Sequence, residues 1–185
     1  MLDAIITRMP EWAFYPVFIG TFLSIVLWTR FVVREHSIGV RITLSELGAQ
    51  RNANYFRFVL WLCGPLFGLT MLFYIFPKLD SPLVSSLLTV TVLLELLVGV
   101  YLPVNKRDRF LHECIAYSMG ALMFISTVGL TLVLPKLAWL EGSFVILLLL
   151  CMTGMLVNRR HFIFYEVSFI FISHFSMVVA TIAVT

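Results

Sequence analysis

The sequence predicts an all-α fold: a polytopic integral membrane protein built as a bundle of six transmembrane helices. Two observations carry this prediction. First, 61% of the 185 residues are hydrophobic and only 12% are charged, whereas a soluble domain has about 45–50% apolar and about 25% charged residues. Second, the charged residues leave six long apolar runs, each close to the roughly 20 residues that cross a bilayer as a helix.

These runs place the helices along the chain. Asp, Glu, Lys and Arg are absent from residues 12–29, 58–77, 114–135, 142–158 and 167–185, and Glu95 alone interrupts residues 81–105. Lipid cannot hydrogen-bond to free backbone amides, and the alternating pattern of a β-barrel is missing, so each run is expected to be helical. We expect one transmembrane domain over residues 1–185, with helices near 12–33, 56–76, 83–103, 111–134, 138–157 and 161–183.

Aromatic residues and prolines mark the ends of the predicted helices. Rings with a polar edge prefer the membrane interface, and they lie near predicted ends at Trp12, Tyr15, Trp28, Tyr55, Trp61, Tyr74, Tyr101 and Trp139. Prolines, which end helices readily, stand at the boundaries Pro77, Pro82, Pro103 and Pro135.

The connection over residues 34–55 is the longest. Apolar and polar residues alternate from Ile38 to Leu44, and Ser45-Glu46-Leu47-Gly48 follows. A short strand, a re-entrant element and a surface-lying helix all fit this pattern. The other connections are short, so consecutive helices are expected to be antiparallel neighbours.

Basic residues predict the orientation. Of the 13 Lys and Arg residues, ten lie on the connections after the first, third and fifth helices or at the adjoining helix ends: Arg30, Arg34, Arg41, Arg51, Arg57, Lys106, Arg107, Arg109, Arg159 and Arg160. Such residues favour the cytoplasmic side. We therefore expect both termini outside, in the plasma (inner) membrane of a prokaryote. The net charge of +3 is a topology signal, and nucleic acid is not expected as a partner.

One glycine pair suggests close helix packing. Gly64 and Gly68 form a GxxxG motif in the second helix, and such motifs let two helix backbones approach closely. Pro65, next to Gly64, is expected to kink this helix. The motif serves either packing within the chain or a homo-oligomer.

Two ionisable residues lie deep in predicted helices. Glu95 is eleven residues before Lys106 and His174 is fourteen residues after Arg160, which puts them about 16 Å and about 21 Å from the same membrane side. At these depths they can meet if their helices adjoin. A proton relay or a contact to a polar ligand is the functional interpretation. A neutral glutamic acid bonded to a backbone carbonyl, beside a neutral core histidine, is the structural one.

A second polar layer is predicted near the cytoplasmic interface, where His112, Glu113 and Glu166 lie. The basic residues at that level are Arg107, Arg109, Arg159 and Arg160. They could hold a lipid phosphate beside a proton-handling histidine or carboxylate. The alternative is that these side chains anchor helix ends through snorkelling and salt bridges.

Recognisable catalytic chemistry is missing from the sequence. It contains no HExxH, GxSxG, P-loop or GxGxxG motif, and no helix carries histidines at metal-ligand spacing. We therefore expect no metal and no cofactor, and name no catalytic residue. A membrane-embedded enzyme would need a nucleophile or metal set that the sequence does not show.

Two stretches resemble a known family. Residues 42–74, ITLSELGAQRNANYFRFVLWLCGPLFGLTMLFY, are similar to the S-[DE]-LG loop and following glycine-bearing helix of the DUF998 family. Residues 97–121, LVGVYLPVNKRDRFLHECIAYSMGA, are similar to the VG-x-[FY]-P…LH-x-x-x-[AG] passage of DUF998 and the broader Frag1/DRAM/Sfk1-like group, with Gly99, Pro103 and His112 in the matching places. The resemblance implies a six-helix bundle and draws attention to Ser45, Glu46 and His112. Members of the wider group are tied to lipid remodelling, membrane lipid asymmetry and autophagy.

The sequence supports three functional hypotheses. The leading one is a small membrane protein that binds, moves or senses a lipid or other amphiphile through a polar intramembrane cavity, with membrane lipids as its partners. The first alternative is a proton-coupled transporter or an oligomeric channel, for which a continuous polar path would be the evidence. The second is an accessory subunit or effector of a larger complex.

Overall fold

The structure is a computed structural model, and it describes residues 15–35, 43–70, 78–101 and 106–184. These ranges are helical and contain no strand. The α-helices are α1 (Tyr15–Glu35), α2 (Leu44–Arg51), α3 (Ala53–Thr70), α4 (Pro82–Val100), α5 (Lys106–Val133), α6 (Ala138–Val157) and α7 (Phe162–Val184). Short 3-10 turns at Pro135–Leu137 and Arg159–His161 lead into α6 and α7.

Four stretches of the described residues are long and apolar enough to cross a membrane. They are Pro82–Val100, Arg107–Val133, Pro135–Val157 and Arg159–Ala180, with 19, 27, 23 and 22 residues. Large apolar side chains on them are exposed, among them Leu132, Trp139 and Val157 at 75% or more. An outward apolar surface of this kind fits insertion into lipid rather than contact with water.

The helix ends depart from the predicted positions by a few residues, for local reasons. α4 ends at Val100 rather than near residue 103, because Tyr101 takes an extended backbone and its N–H closes the last turn on the Leu97 carbonyl. α5 begins at Lys106, five residues before the predicted start. Asp108 in this added turn lies at the helix N-terminus, where a negative charge is favourable. The predicted starts and ends at residues 12–14, 71–76 and 103 lie outside the described residues.

The six long helices form a closed ring. α1 packs on α3, α3 on α4, α4 on α5, α5 on α6 and α6 on α7, and a contact between α7 and α1 completes the circuit. α5 also contacts α7, while α4 and α7 are not among the closely packed pairs. The predicted packing of each helix against the next one along the chain is therefore seen for these six helices.

The connection at residues 34–55 contains the short helix α2, one of the three structures that the sequence pattern allowed. α2 packs against α1, α3 and α7 and so lies across one end of the ring. We call this end the α2 end and the opposite end the far end. The strand-like alternation at residues 38–42 falls outside the described residues.

Apolar side chains fill both ends of the ring. At the α2 end they form the α2-end cluster, which comprises Trp28, Phe31, Val32, Leu44, Leu47, Phe56, Val59 and Ile163. At the far end they form the far cluster, which comprises Leu79, Val84, Leu88, Val92, Leu130, Met177, Val178 and Ala180. A third cluster comprises Met123, Leu148, Cys151 and Phe169.

Gly68 serves packing within the chain. A Cβ added at Gly68 would lie 2.5 Å from Cγ1 of Val92, so α3 approaches α4 more closely than a larger residue would permit. Helix α3 continues from Ala53 to Thr70 through the position of Pro65. A homo-oligomer through Gly64 and Gly68 stays a prediction.

Candidate functional site

Glu95 on α4 and His174 on α7 meet inside the ring, at the depth that their positions in the sequence predict. His174 Nε2 lies 3.1 Å from Glu95 Oε1, and the two side chains are only 7% and 13% exposed. Since α4 and α7 are not close neighbours, the contact spans the interior.

The hydrogen bonds of this pair determine how many protons it holds. His174 Nδ1 lies 2.7 Å from the Ile170 carbonyl oxygen, which can only accept, so Nδ1 carries a proton. The bond between Nε2 and Oε1 then needs one more proton, located either on the imidazole or on the carboxyl group. The pair therefore holds one transferable proton in an enclosed setting.

A cavity of about 50 Å³ adjoins Glu95, one member of the pair. Its polar lining comes from Ser45, Glu95, His112 and Glu166, and its apolar walls include Trp28, Phe56, Met119, Met123 and Ile170. One water needs roughly 10–15 Å³ of such space. The cavity therefore has room for a few waters in contact with three ionisable side chains, those of Glu95, His112 and Glu166.

His112 joins α5 to the end of α4. It is 4% exposed, and its Nδ1 donates to the backbone carbonyl of Tyr101, the residue that ends α4. This bond fixes the ring and leaves Nε2 as the nitrogen that can accept a proton.

Glu166 holds the N-terminus of α2. Its Oε2 accepts a hydrogen bond of 2.7 Å from the backbone N–H of Leu44. The first N–H groups of a helix have no partner in the helix itself, and the helix dipole favours a negative group there. Thr43 and Glu46 complete this terminus with a capping box. The carboxyl group that lines the cavity therefore also positions the helix that covers it.

Gly48 allows α2 to approach α3 closely. A Cβ at this position would lie 2.4 Å from Cδ2 of Phe56, a separation that real Cβ atoms do not show. Leu44 and Leu47, exposed by only 5% and 2%, point into the same cluster. α2 is thus a close-fitting cover over the cavity.

The remaining predicted residues lie on the surface around the α2 end. Arg109 is 3.5 Å from Glu46 in an ion pair whose side chains are 51% and 27% exposed, which links α5 to α2. Arg107, Arg159 and Arg160 are exposed. Glu113 is also exposed and does not line the cavity, so the structure does not bring it to the other candidates.

Sequence reasoning missed Glu141. This residue of α6 is 0% exposed, its Oε2 accepts a 2.6 Å hydrogen bond from Ser176 Oγ, and its Oε1 has no partner among the described residues. In the sequence it resembles an interfacial residue beside Trp139. Its burial involves a contact with Ser176 of α7, which the pattern alone did not show.

Several hydroxyl groups are also buried in the interior. Five of them are 0% exposed, at Thr91, Ser126, Thr127, Ser173 and Ser176. Thr91 Oγ1 and Ser126 Oγ are 3.5 Å apart, while Thr127 and Ser173 donate to carbonyls one turn earlier. These neutral groups can donate and accept without adding buried charge.

No metal site is found in the described ranges, which contain no group of three His, Cys, Asp or Glu side chains able to hold an ion. Cys114 and Cys151 are free thiols. In comparisons with known proteins, no family model, no curated protein and no solved structure matches the chain.

Proposed function

We propose that this chain is an integral membrane protein of six spans that takes up and passes on protons inside its helix ring, as a proton-coupled transporter does. The observation that carries this proposal is the enclosed Glu95–His174 pair with its single shared proton. Among the sequence hypotheses, this is the one that the geometry supports best.

The free-energy cost of burying Glu95 and His174 in the membrane indicates that the pair has a function. Each ionisable residue in the centre of a membrane helix costs about 2.5–3.5 kcal/mol on insertion scales, and such residues commonly mark proton relays. A purely structural contact would need no access to water. The adjoining cavity, with room for a few waters, provides such access and brings His112 and Glu166 within the same water-sized space.

The ring itself supports the proposal of six spans. α1 and α3 pack in the same ring as the four helices that are long and apolar enough to cross a membrane. Residues 12–29 and 58–77, which cover most of both helices, contain no Asp, Glu, Lys or Arg. A ring with two members outside the membrane would expose the uncharged faces of these helices to water.

The orientation that we propose puts the α2 end in the cytoplasm and both termini outside, in a plasma membrane. Arg107, Arg109, Arg159 and Arg160 all lie at the α2 end, and basic residues are enriched on the cytoplasmic side of membrane proteins. Proton exchange through the cavity would then occur with the cytoplasm.

A second candidate function is binding of a lipid or other amphiphile, and the exposed arginines at the α2 end favour it. Arg107, Arg159 and Arg160 could pair with a phosphate group, with the cavity receiving the polar headgroup. The cavity of about 50 Å³ is too small for an acyl chain, so binding would require α2 to move. Native mass spectrometry from mild detergent tests this function: bound lipid that decreases in an R159A/R160A variant supports it, and no retained lipid in any preparation contradicts it.

We also propose kinship with the DUF998 proteins. The residues that carry the resemblance make specific contacts at the α2 end: Gly48 against Phe56, Gly99 against Trp61, and His112 to Tyr101. Residues with such steric or hydrogen-bonding requirements are those that a common ancestor would retain. An experimental structure of a DUF998 member that lacks the six-helix ring would contradict this kinship.

The proton proposal is tested by flux into liposomes that contain a pH-sensitive dye, under an applied gradient. Wild-type protein should exceed empty vesicles, and Glu95→Gln and His174→Ala should reduce the flux by about 10²-fold, the typical contribution of a positioned proton-transfer group. Asp80→Asn, a change at an exposed carboxylate, is the matched control. Equal flux in wild type, variants and empty vesicles would overturn the proposal.

A further inference from the structure

Glu141 is buried without the cation that a buried carboxylate requires. Its side chain is 0% exposed, one oxygen is held by Ser176 and the other has no partner in the described part of the chain. An uncompensated charge in this position would be strongly destabilising. A bound cation is therefore needed, either a proton on the carboxyl group itself or an ion beside it.

The chemistry of the surroundings favours the proton. Divalent ions need several carboxylate or carbonyl oxygens, and no group of three potential ligands is found among the described residues. A proton needs only one carboxyl oxygen and one acceptor or donor nearby. Ser176 supplies such a group, because its hydroxyl can both donate and accept.

α7 brings Glu141 close to the Glu95–His174 pair. His174 contacts Glu95, and Ser176 contacts Glu141. His174 and Ser176 both belong to α7 and are about 3 Å apart along its axis. They point to different sides of the helix. Ser173, which is 0% exposed, is a helical neighbour of Ser176 at spacing i, i+3, and it lies between the two sides.

We infer that Glu141 is a second proton-binding site of the interior, located on the α6 side of α7, and that Ser173 and Ser176 link it to the Glu95–His174 pair. This inference rests on the proposed function and extends it from one exchange site to a path between two carboxyl groups. Met177, Val178 and Ala180 of the far cluster follow Ser176 directly along α7. Apolar residues of the far cluster therefore lie beyond Ser176 on α7.

The inference is tested in the full-length protein with Glu141→Gln, which keeps the size of the side chain and its ability to accept from Ser176. Two measurements are made: infrared difference spectra of the carboxyl groups after a pH jump, and proton flux in liposomes. Asp80→Asn is the control at an exposed carboxylate of the far end. Ser176→Ala is the second variant, for the case in which Glu141→Gln does not fold.

We expect Glu141→Gln to remove one carboxyl band while the Glu95 band remains, and to lower the flux by about 10²-fold. Ser176→Ala should shift the Glu141 band and slow the flux less. Wild-type flux and an unchanged spectrum in both variants would overturn the inference and leave the Glu95–His174 proposal intact. If the stability of the wild-type protein depends on Na⁺ and that of Glu141→Gln does not, the site binds a metal ion rather than a proton, and the inference is overturned. If the wild-type protein gives no flux, the proposed function fails, and the infrared band alone decides whether Glu141 binds a proton.

Discussion

His174 Nε2 and Glu95 Oε1 lie 3.1 Å apart, although their helices α7 and α4 do not pack closely against each other. The two side chains therefore bridge the interior of the ring. Because Nδ1 of His174 is committed to the Ile170 carbonyl, a proton that moves between these residues moves along this one bond.

The bridge predicts a specific result in a double-mutant cycle. Glu95→Leu or His174→Leu alone leaves a buried polar group without its partner, and each should lower the free energy of unfolding by about 3 kcal/mol. The double variant should be more stable than the sum of the single losses predicts, because it removes both polar groups. Denaturation in mixed micelles measures these values, and additive losses would show that the two side chains do not interact.

The bond from Leu44 N–H to Glu166 predicts how α2 is held. Glu166→Leu leaves that N–H without an acceptor, and a buried donor without a partner costs about 1–3 kcal/mol. Loosening of α2 can be measured by thiol labelling of Ser45→Cys, since Ser45 is 7% exposed. Labelling should be slow in the otherwise wild-type protein and faster with Glu166→Leu. Gln50→Cys, at an exposed position on the same helix, should be labelled equally in both, and equal rates at Ser45→Cys would contradict this role of Glu166.

The contact of Gly48 with Phe56 predicts a steric effect. Gly48→Ala should destabilise the protein by about 1–3 kcal/mol, the usual range for overpacking a core, and Phe56→Leu should restore part of the loss. Gly120→Ala is the matched control, because a Cβ there meets nothing within 4 Å. Thermal unfolding followed by circular dichroism distinguishes the two substitutions. Similar melting temperatures for both would show that α2 does not fit closely on α3.

The proposed orientation predicts which side of the membrane single cysteines face. In a protein with Cys63, Cys114 and Cys151 replaced by Ala, we expect Asn52→Cys to be labelled from the cytoplasm and Lys136→Cys from outside. Both positions are exposed, and they lie at opposite ends of the ring. A membrane-impermeant thiol reagent applied to intact cells makes the measurement. Labelling of Asn52→Cys from outside would reverse the orientation.

Much of this architecture could be predicted from the sequence, because lipid leaves the backbone few choices. An uncharged run of about 20 residues must be helical, and depth along a helix follows from its rise per residue. The similar depth of Glu95 and His174 in the membrane could therefore be predicted, and this depth allowed a contact between them. Which helices are neighbours could not be predicted. Thr43-Leu44-Ser45-Glu46 also carried the spacing of a capping box, a signal that would have favoured a helix in the 34–55 connection.

The rest depended on the direction in which each side chain points. His112 and Glu113 are adjacent in sequence, yet one lines the cavity and the other is exposed, because successive helical residues point about 100° apart. Glu141 lay beside an interfacial tryptophan, and its burial depends on the approach of Ser176 from another helix. Such tertiary contacts leave no mark on a periodic apolar sequence.

Infrared difference spectroscopy on a pH jump tests the central claim most directly, since it detects protonation of individual buried carboxyl groups. We predict that the wild-type spectrum contains a carboxyl band that is absent in Glu95→Gln, altered in His174→Ala and unchanged in Asp80→Asn. A wild-type spectrum identical to that of Glu95→Gln, over the whole pH range in which the protein stays folded, would show that Glu95 does not exchange a proton and would contradict the account.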